Sequence, residues 1–209
     1  MHSTMRSLSS SRVILILTLF AFPAALFAQQ SPSLPQQSPE VGRLAELITG
    51  KWATTEQYAP SAMYQHATRG TGTDVIRGGP GDLSIIADYH STNAYGKFSG
   101  HGVFSWDQKT ASFTLFWIDN TSPQPTISSG KWEGNSLVFT DDLTSPDGQP
   151  MYVKQTYSNF SPYSFSFTQE SSIAGGPLKR DTLVQFRRAT ASASSTSSSN
   201  HKKKKHRWP

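Results

Sequence analysis

The sequence predicts an all-β domain in which one short helix precedes about ten short antiparallel strands. Two features of the chain support this prediction. Segments rich in β-branched and aromatic residues follow Gly50, and turn-forming residues separate them, as at Gly78–Asp82 and Pro146–Gly148. Because such short turns cannot connect parallel strands, we expect antiparallel pairing, in either a sandwich or a barrel.

The predicted helix begins near Ser38, which can cap its first turn. Pro39 then occupies the first helical position, where no amide donor is needed, and Gly50 ends the helix. Apolar residues at helical spacing form one stripe, which consists of Val41, Leu44, Leu47 and Ile48.

The strand predictions rest on runs of aromatic and β-branched residues. The clearest runs are Leu83–His90, Phe98–Trp106, Ser112–Asp119, Leu137–Phe139, Tyr152–Tyr157, Tyr163–Phe167 and Leu183–Phe186. Weaker candidates are Lys51–Tyr58, Gly72–Arg77 and Thr126–Trp132. Alternation gives several of these segments one aromatic face, as in the set Phe98, Phe104 and Trp106.

The start of the chain has the pattern of a secretory signal peptide. Residues 1–28 combine a basic start, the apolar run Val13–Phe22 and a small residue at Ala28. That run is about ten residues long, roughly half of what a membrane-spanning helix needs. We therefore expect cleavage near Ala28 and a periplasmic or secreted protein.

Composition divides the remainder into three parts. Residues 29–37 are polar and Pro-rich, which predicts a disordered linker, and residues 38–189 form the predicted folded domain. Residues 190–209 are Ser-rich and then basic, which predicts a disordered tail. The chain has no cysteine, so the domain depends on core packing and not on disulfides.

The net charge of +5 does not describe the folded domain. Seven of the 19 basic residues lie in segments 1–28 and 190–209, which leaves 12 basic residues against all 14 acidic ones. The body therefore carries a net charge near −2. This balance gives no support for specific nucleic-acid binding.

Several motifs resemble those of lipocalin-like, or calycin-type, β-barrels. Gly50-Lys51-Trp52 opens the first strand after a short helix, and Arg187-Arg188 ends the last strand. The motifs Gly100-His101-Gly102, Trp117-Ile118-Asp119 and Gly130-Lys131-Trp132 resemble a family of uncharacterised bacterial secreted proteins with this fold. The resemblance implies a small antiparallel up-and-down barrel of about eight to ten strands. It also implies that Trp52 packs near a basic residue of the last strand.

Alternation decides which of the two terminal arginines we expect at Trp52. Arg188 shares its strand face with Val184 and Phe186, which is the more apolar of the two faces. We therefore predict that Arg188, and not Arg187, contacts the Trp52 ring.

The predicted function is the binding of a small apolar or amphipathic molecule inside the barrel. Candidate ligand-binding residues are Arg77, His101, Trp117, Asp119, Trp132 and Tyr152. No cofactor is predicted. No metal site is predicted either, because the histidines of the body lack metal-ligand spacing and the chain has no cysteine.

Two alternatives depend on His101, whose facing the sequence leaves open. If the face carrying Phe104 packs outward, His101 points into the barrel; otherwise it lies on the surface. An inward His101 allows an enzyme of isomerase, lyase or hydrolase type, in which His101 and Asp119 share one cavity. It also allows a haem-binding barrel with His101 as the axial ligand. The sequence contains no nucleophile motif, and no catalytic residue is predicted.

The basic tail predicts attachment to an anionic membrane or envelope surface, and a solvated tail without a partner is the alternative. Its charges are Lys202, Lys203, Lys204, Lys205 and Arg207. Each basic residue near an anionic membrane contributes about 1 kcal/mol. We expect only the full-length protein to bind anionic vesicles, and about 0.5 M salt to release it, because salt screens such contacts.

A form truncated after Ala189 is the matched control and is expected to melt at the same temperature. Equal vesicle binding by the two forms would exclude the tail as the attachment site. A lower melting temperature on truncation would place the domain boundary beyond Ala189.

Overall fold

Ten antiparallel strands close into a barrel in the computed structural model, which describes residues 35–61 and 64–190. The strands are β1 Gly50–Tyr58, β2 Thr68–Gly78, β3 Ser84–Asn93, β4 Gly96–Asp107, β5 Ser112–Asp119, β6 Ser122–Glu133, β7 Ser136–Thr144, β8 Pro150–Ser161, β9 Ser164–Ile173 and β10 Lys179–Arg188. Each strand pairs with the next in sequence, and β1 pairs with β10. The predicted all-β, up-and-down barrel is confirmed, including the three segments that the sequence marked only weakly.

Parts of the predicted organisation lie outside the described residues. These are the signal peptide (1–28), most of the linker (29–34) and residues 191–209 of the basic tail.

The helix α1, Pro39–Ile48, begins and packs as its sequence predicts. The Ser38 hydroxyl oxygen accepts a hydrogen bond from the Val41 amide at 3.2 Å, which caps the first turn. Val41, Leu44 and Ile48 are buried against the barrel core. The helix thereby covers the end of the barrel at which β1 begins.

Alternation along β4 settles which way its aromatic face points. Phe98, Phe104 and Trp106 face the barrel interior and belong to or pack on its core. The outward positions between them include His101, which is partly exposed.

The base of the barrel is closed by Trp52, whose exposed fraction is 1%. The guanidinium carbon of Arg188 lies 4.4 Å from the centre of the Trp52 ring, and the two residues are register partners on β1 and β10. Arg188 Nε also donates to the Pro162 carbonyl at 2.8 Å, and Nη1 donates to the Thr49 carbonyl at 3.3 Å. The structure thus places at Trp52 the arginine that alternation favoured.

The geometry of this contact explains the glycine of the Gly50-Lys51-Trp52 motif. Gly50 has a φ of 142°, in the range that favours glycine. A Cβ atom there would overlap the Arg188 guanidinium. Gly50 is therefore required by the arginine that covers Trp52.

We expect Arg188→Ala to lower the free energy of unfolding by about 1–2 kcal/mol, because it removes a cation–π contact and two hydrogen bonds to carbonyl oxygens. Arg187→Ala is the matched control: Arg187 is exposed on the outer face, and its loss is expected to change stability by less than about 0.5 kcal/mol. Urea unfolding of the two variants measures both effects. Equal losses would mean that the Trp52 contact contributes nothing specific.

Candidate functional site

The barrel interior holds a cavity of about 480 Å³, a volume typical of small-molecule sites. It extends from Ile48, at the helix, to three tyrosines at the opposite end, which are Tyr58, Tyr64 and Tyr95. These tyrosine rings contact one another, with centroids 4.7 Å apart for Tyr58 and Tyr64 and 5.8 Å apart for Tyr64 and Tyr95. The tyrosines form one side of the cavity rim.

Two glycines of β4 hold the Trp117 indole flat against the cavity wall. Gly100 and Gly102 are register partners of Asp119 and Trp117 on β5, and a Cβ on either glycine would overlap the indole ring. Phe98 stacks on the same indole, with centroids 6.4 Å apart and planes 12° apart. The Gly100-His101-Gly102 and Trp117-Ile118-Asp119 motifs are therefore the two halves of one packing arrangement.

Asp119 lines the cavity, but both of its carboxylate oxygens are already used. The Trp117 indole nitrogen donates to Oδ2 at 2.9 Å, while the Thr121 amide and hydroxyl donate to Oδ1 at 2.8 and 2.6 Å. Asp119 thus orients Trp117 and stabilises the β5–β6 turn.

The opposite wall of the cavity is aromatic and centres on Tyr157 of β8. Its ring lies 5.0 Å from that of Phe167 and 5.7 Å from that of Phe104, measured between centroids. All three residues line the cavity. The cavity therefore has one wall that consists of aromatic rings.

A second acidic side chain, Glu56, is buried beside the cavity and is held by two phenols. Tyr58 donates to its Oε2 at 2.6 Å, and Tyr89 donates to its Oε1. Burial, together with the Glu56 carboxylate, raises the pKa of both tyrosines, so both stay protonated and remain donors. Both carboxylate oxygens of Glu56 therefore have hydrogen-bond donors within the barrel wall.

Asp74 of β2 is the exception among these acids. Its exposed fraction is 5%, it lines the cavity, and its Oδ1 makes no hydrogen bond with any residue that the structure describes. Burial, and secondarily the charge of Asp88, raises the pKa of Asp74 to about 7. Gln155 Oε1 also lines the cavity without a hydrogen-bond partner among the described residues.

Comparison with protein-family models places this barrel in a family. The model of a family described as "Protein of unknown function (DUF1579)" matches residues 38–188. The chain belongs to the DUF1579 family. The match spans α1 and all ten strands, and a family of unknown function agrees with the predicted resemblance to an uncharacterised family. A search of curated proteins finds no significant match.

Solved structures similar to this DUF1579 barrel have low sequence identity to it. Rv2717c from M. tuberculosis has a TM-score of 0.49 and 13% identity, over 74% of this chain and 100% of that one. The S-type phycobiliprotein lyase CPES from Guillardia theta has a TM-score of 0.53 and 10% identity, over 73% and 94%. A redesigned β-barrel, mFAP1, bound to DFHBI has a TM-score of 0.37 and 15% identity, over 70% and 99%. The likeness to CPES shows a shared fold alone.

Of the six ligand-binding candidates that the sequence suggested, the DUF1579 barrel directs two into its cavity. Trp117 and Asp119 line it. Tyr152 is exposed on the outer face of β8. Trp132 lies at the helix end of the barrel, where Arg43 covers it at 3.8 Å and Phe113 and Phe160 pack against it.

The remaining two candidates, Arg77 and His101, meet on the outer surface. His101 Nδ1 lies 2.6 Å from Asp88 Oδ1, and Arg77 Nη2 lies 3.4 Å from Asp88 Oδ2. His101 and Asp119 therefore face opposite sides of the sheet, which overturns the enzyme hypothesis that required them in one cavity. The haem hypothesis loses its ligand for the same reason, since no histidine among the described residues lines the cavity.

Within residues 35–61 and 64–190, no three or more His, Asp or Glu side chains are placed to hold a metal ion. No helix in this range has the length and hydrophobicity needed to cross a membrane.

The site residues that sequence analysis missed are Asp74 and Tyr157. Tyr157 belongs to a strand that was predicted, but nothing in its alternation distinguishes an inward ring that lines a cavity from one that fills a core. Asp74 shares its strand face with Ile76. An acidic residue on the same strand face as an apolar isoleucine could have indicated an inward carboxylate. The prediction missed it because β2 has only a weak strand pattern.

We expect Asp74→Asn to stabilise the protein at pH 8 and to have little effect near pH 4. The folded-state pKa of about 7 lies above the ordinary value of 3.8, so the neutral form is favoured on folding. Its stabilising contribution is complete below about pH 4 and is lost as pH rises toward 7, a total of roughly 2–4 kcal/mol.

Urea unfolding at pH 4.5 and pH 8 measures this effect, with the exposed Asp142→Asn as the control for loss of one acidic charge. A loss of stability in Asp74→Asn at pH 8 would show that the Asp74 carboxylate is charged and well paired in the folded protein.

Proposed function

We propose that this protein binds a small amphipathic molecule inside its barrel. The observation that carries the proposal is the open interior, about 480 Å³ in volume, with aromatic walls and a few unpaired polar atoms. Native interiors are otherwise packed to near-crystalline density, so a core built only for stability would fill this space. An apolar surface with a few directed polar groups is the usual composition of a ligand site.

The polar atoms support an amphipathic ligand over a purely apolar one. Asp74 Oδ1 and Gln155 Oε1 are buried without partners among the described residues. A buried polar atom left unpaired costs about 1–3 kcal/mol, which a ligand with hydrogen-bonding groups offsets. A hydrocarbon alone leaves these costs in place.

The position of Trp117 supplies a spectroscopic reporter. Trp117 lines the cavity, whereas Trp52, Trp106 and Trp132 belong to or pack on the core at the helix end. Because the glycine pair and Asp119 fix the orientation of the indole, a ligand that contacts it changes its emission without requiring movement of the strand.

The experiment is a titration of Trp fluorescence with neutral amphiphiles, decanol and Nile red. We expect a saturable change that Trp117→Phe removes. Ala87→Phe is expected to weaken binding about tenfold or more, because Ala87 lines the cavity and the larger side chain occupies its space. Ala53→Phe is the matched control, since Ala53 is exposed on the outer face of β1.

A wild-type protein that gives no saturable change with either probe, although it melts cooperatively, would contradict the proposal. Equal weakening by Ala87→Phe and Ala53→Phe would show that the probes bind outside the barrel.

A further inference from the structure

We infer that the ligand carries a positively charged amine, and that this amine pairs with the carboxylate of Asp74 inside the cavity. The inference rests on the proposed function and specifies the chemical class of its ligand. Three observations lead to it: the sign of the charges that line the cavity, the unpaired buried oxygen of Asp74, and the aromatic rings of the cavity wall.

The described residues that line the cavity carry mostly acidic charge. Asp74, Asp119 and Asp141 line it, while Lys97 is the basic residue of that set. Lys97 is exposed and is the second residue of β4, at the rim end of the barrel. A ligand inside the barrel therefore meets a field that favours cations and disfavours anions.

Among these cavity-lining acids, Asp74 is the one with a buried carboxylate oxygen that lacks a partner within the described residues, although the backbone of Val75 and Asp88 hydrogen-bonds to its carboxylate. Asp119 accepts hydrogen bonds on both oxygens, and Asp141 accepts one from the Ser128 hydroxyl at 2.6 Å. The neighbouring Glu56 accepts from two phenols. Asp74 Oδ1 has no hydrogen bond within the described residues although the side chain is 95% buried, and a buried acceptor of this kind calls for a donor.

The aromatic wall provides the second half of a cation site. Tyr157 lies near enough to Asp74 that the Asp74 charge, after burial, contributes to raising the Tyr157 pKa. Phe104 and Phe167 pack against the Tyr157 ring and line the same cavity. Ring faces attract cations, and together with one carboxylate they favour an organic ammonium group.

Two other possible partners of the Asp74 carboxylate, a divalent metal ion and a neutral ligand, agree less well with these observations. A divalent metal requires several oxygen ligands, and no three acidic or histidine side chains of the described residues lie close enough together to hold a metal ion. A neutral ligand can accept a hydrogen bond from protonated Asp74, but it gains nothing from the acidic charge that lines the cavity. That second possibility makes a different prediction, which the following experiment measures.

The experiment compares three molecules that share one alkyl chain, decylamine, decanol and decanoate, by Trp fluorescence at pH 8. An alkylamine resembles the lysine side chain and stays charged at this pH. We expect decylamine to bind at least about tenfold more tightly than decanol, because only the amine forms an ion pair with Asp74. Decanoate is expected to bind most weakly. In Asp74→Asn the preference for decylamine over decanol is expected to fall to about threefold or less. Asp142→Asn, on the outer surface, is expected to retain it.

A second measurement uses the unmodified protein and so does not depend on the folding of the variant. Because a bound amine favours ionised Asp74, its binding at pH 7 releases protons, and decanol binding does not. Calorimetry in two buffers of different ionisation enthalpy detects this release.

Each outcome has a distinct meaning. Equal affinities for decylamine and decanol, with no proton release, overturn the amine inference and leave the proposed ligand binding intact. Tighter binding of decanol, lost in Asp74→Asn, assigns Asp74 as a neutral hydrogen-bond donor and also overturns the inference. No binding of any of the three molecules contradicts the proposed function itself.

Discussion

The rest of the structure depends on the contact that closes the base of the barrel, between Trp52 and Arg188. Trp52 fills the end of the interior, packs edge-on against Phe165 at 4.8 Å, and donates from its indole nitrogen to the Ile48 carbonyl at 2.7 Å. One ring thus joins the helix, the first strand and, through Arg188, the last strand. A barrel without a free edge needs this junction, and the cavity lies above the floor that it makes.

A closed interior also constrains every polar side chain that points into it. Such a group loses water on folding, so it must find a partner in the wall or bear the cost of having none. Glu56 and Asp119 find theirs in tyrosine, tryptophan and threonine donors. One oxygen of Asp74, Oδ1, does not within the described residues, and burial raises the pKa of Asp74 to about 7. This contrast among three acids in one barrel is the reason for proposing a ligand contact at Asp74.

Sequence patterns predicted the strands and the closure but not the centre of the site. Period-two alternation fixes which residues share a face, which is why Arg188 was distinguishable from Arg187 at Trp52. It does not fix whether a face points in or out, so His101 stayed ambiguous until the aromatic partners on β4 were located inside. Asp74 was missed because its strand is rich in Gly and Thr, and β2 shows its inward face only through pairing with β1 and β3.

The Gly100-His101-Gly102 segment shows why a correct motif still gave the wrong residue. Two glycines around a histidine indicate a close approach by another group, and the sequence could not identify that group. The structure identifies it as the Trp117 indole, which occupies the space that two Cβ atoms would take. The two glycines therefore lie on the inward face of β4. His101 lies between them and so must face outward, toward Asp88. Strand geometry thus places the Trp117 ring at the cavity and the His101 imidazole outside it.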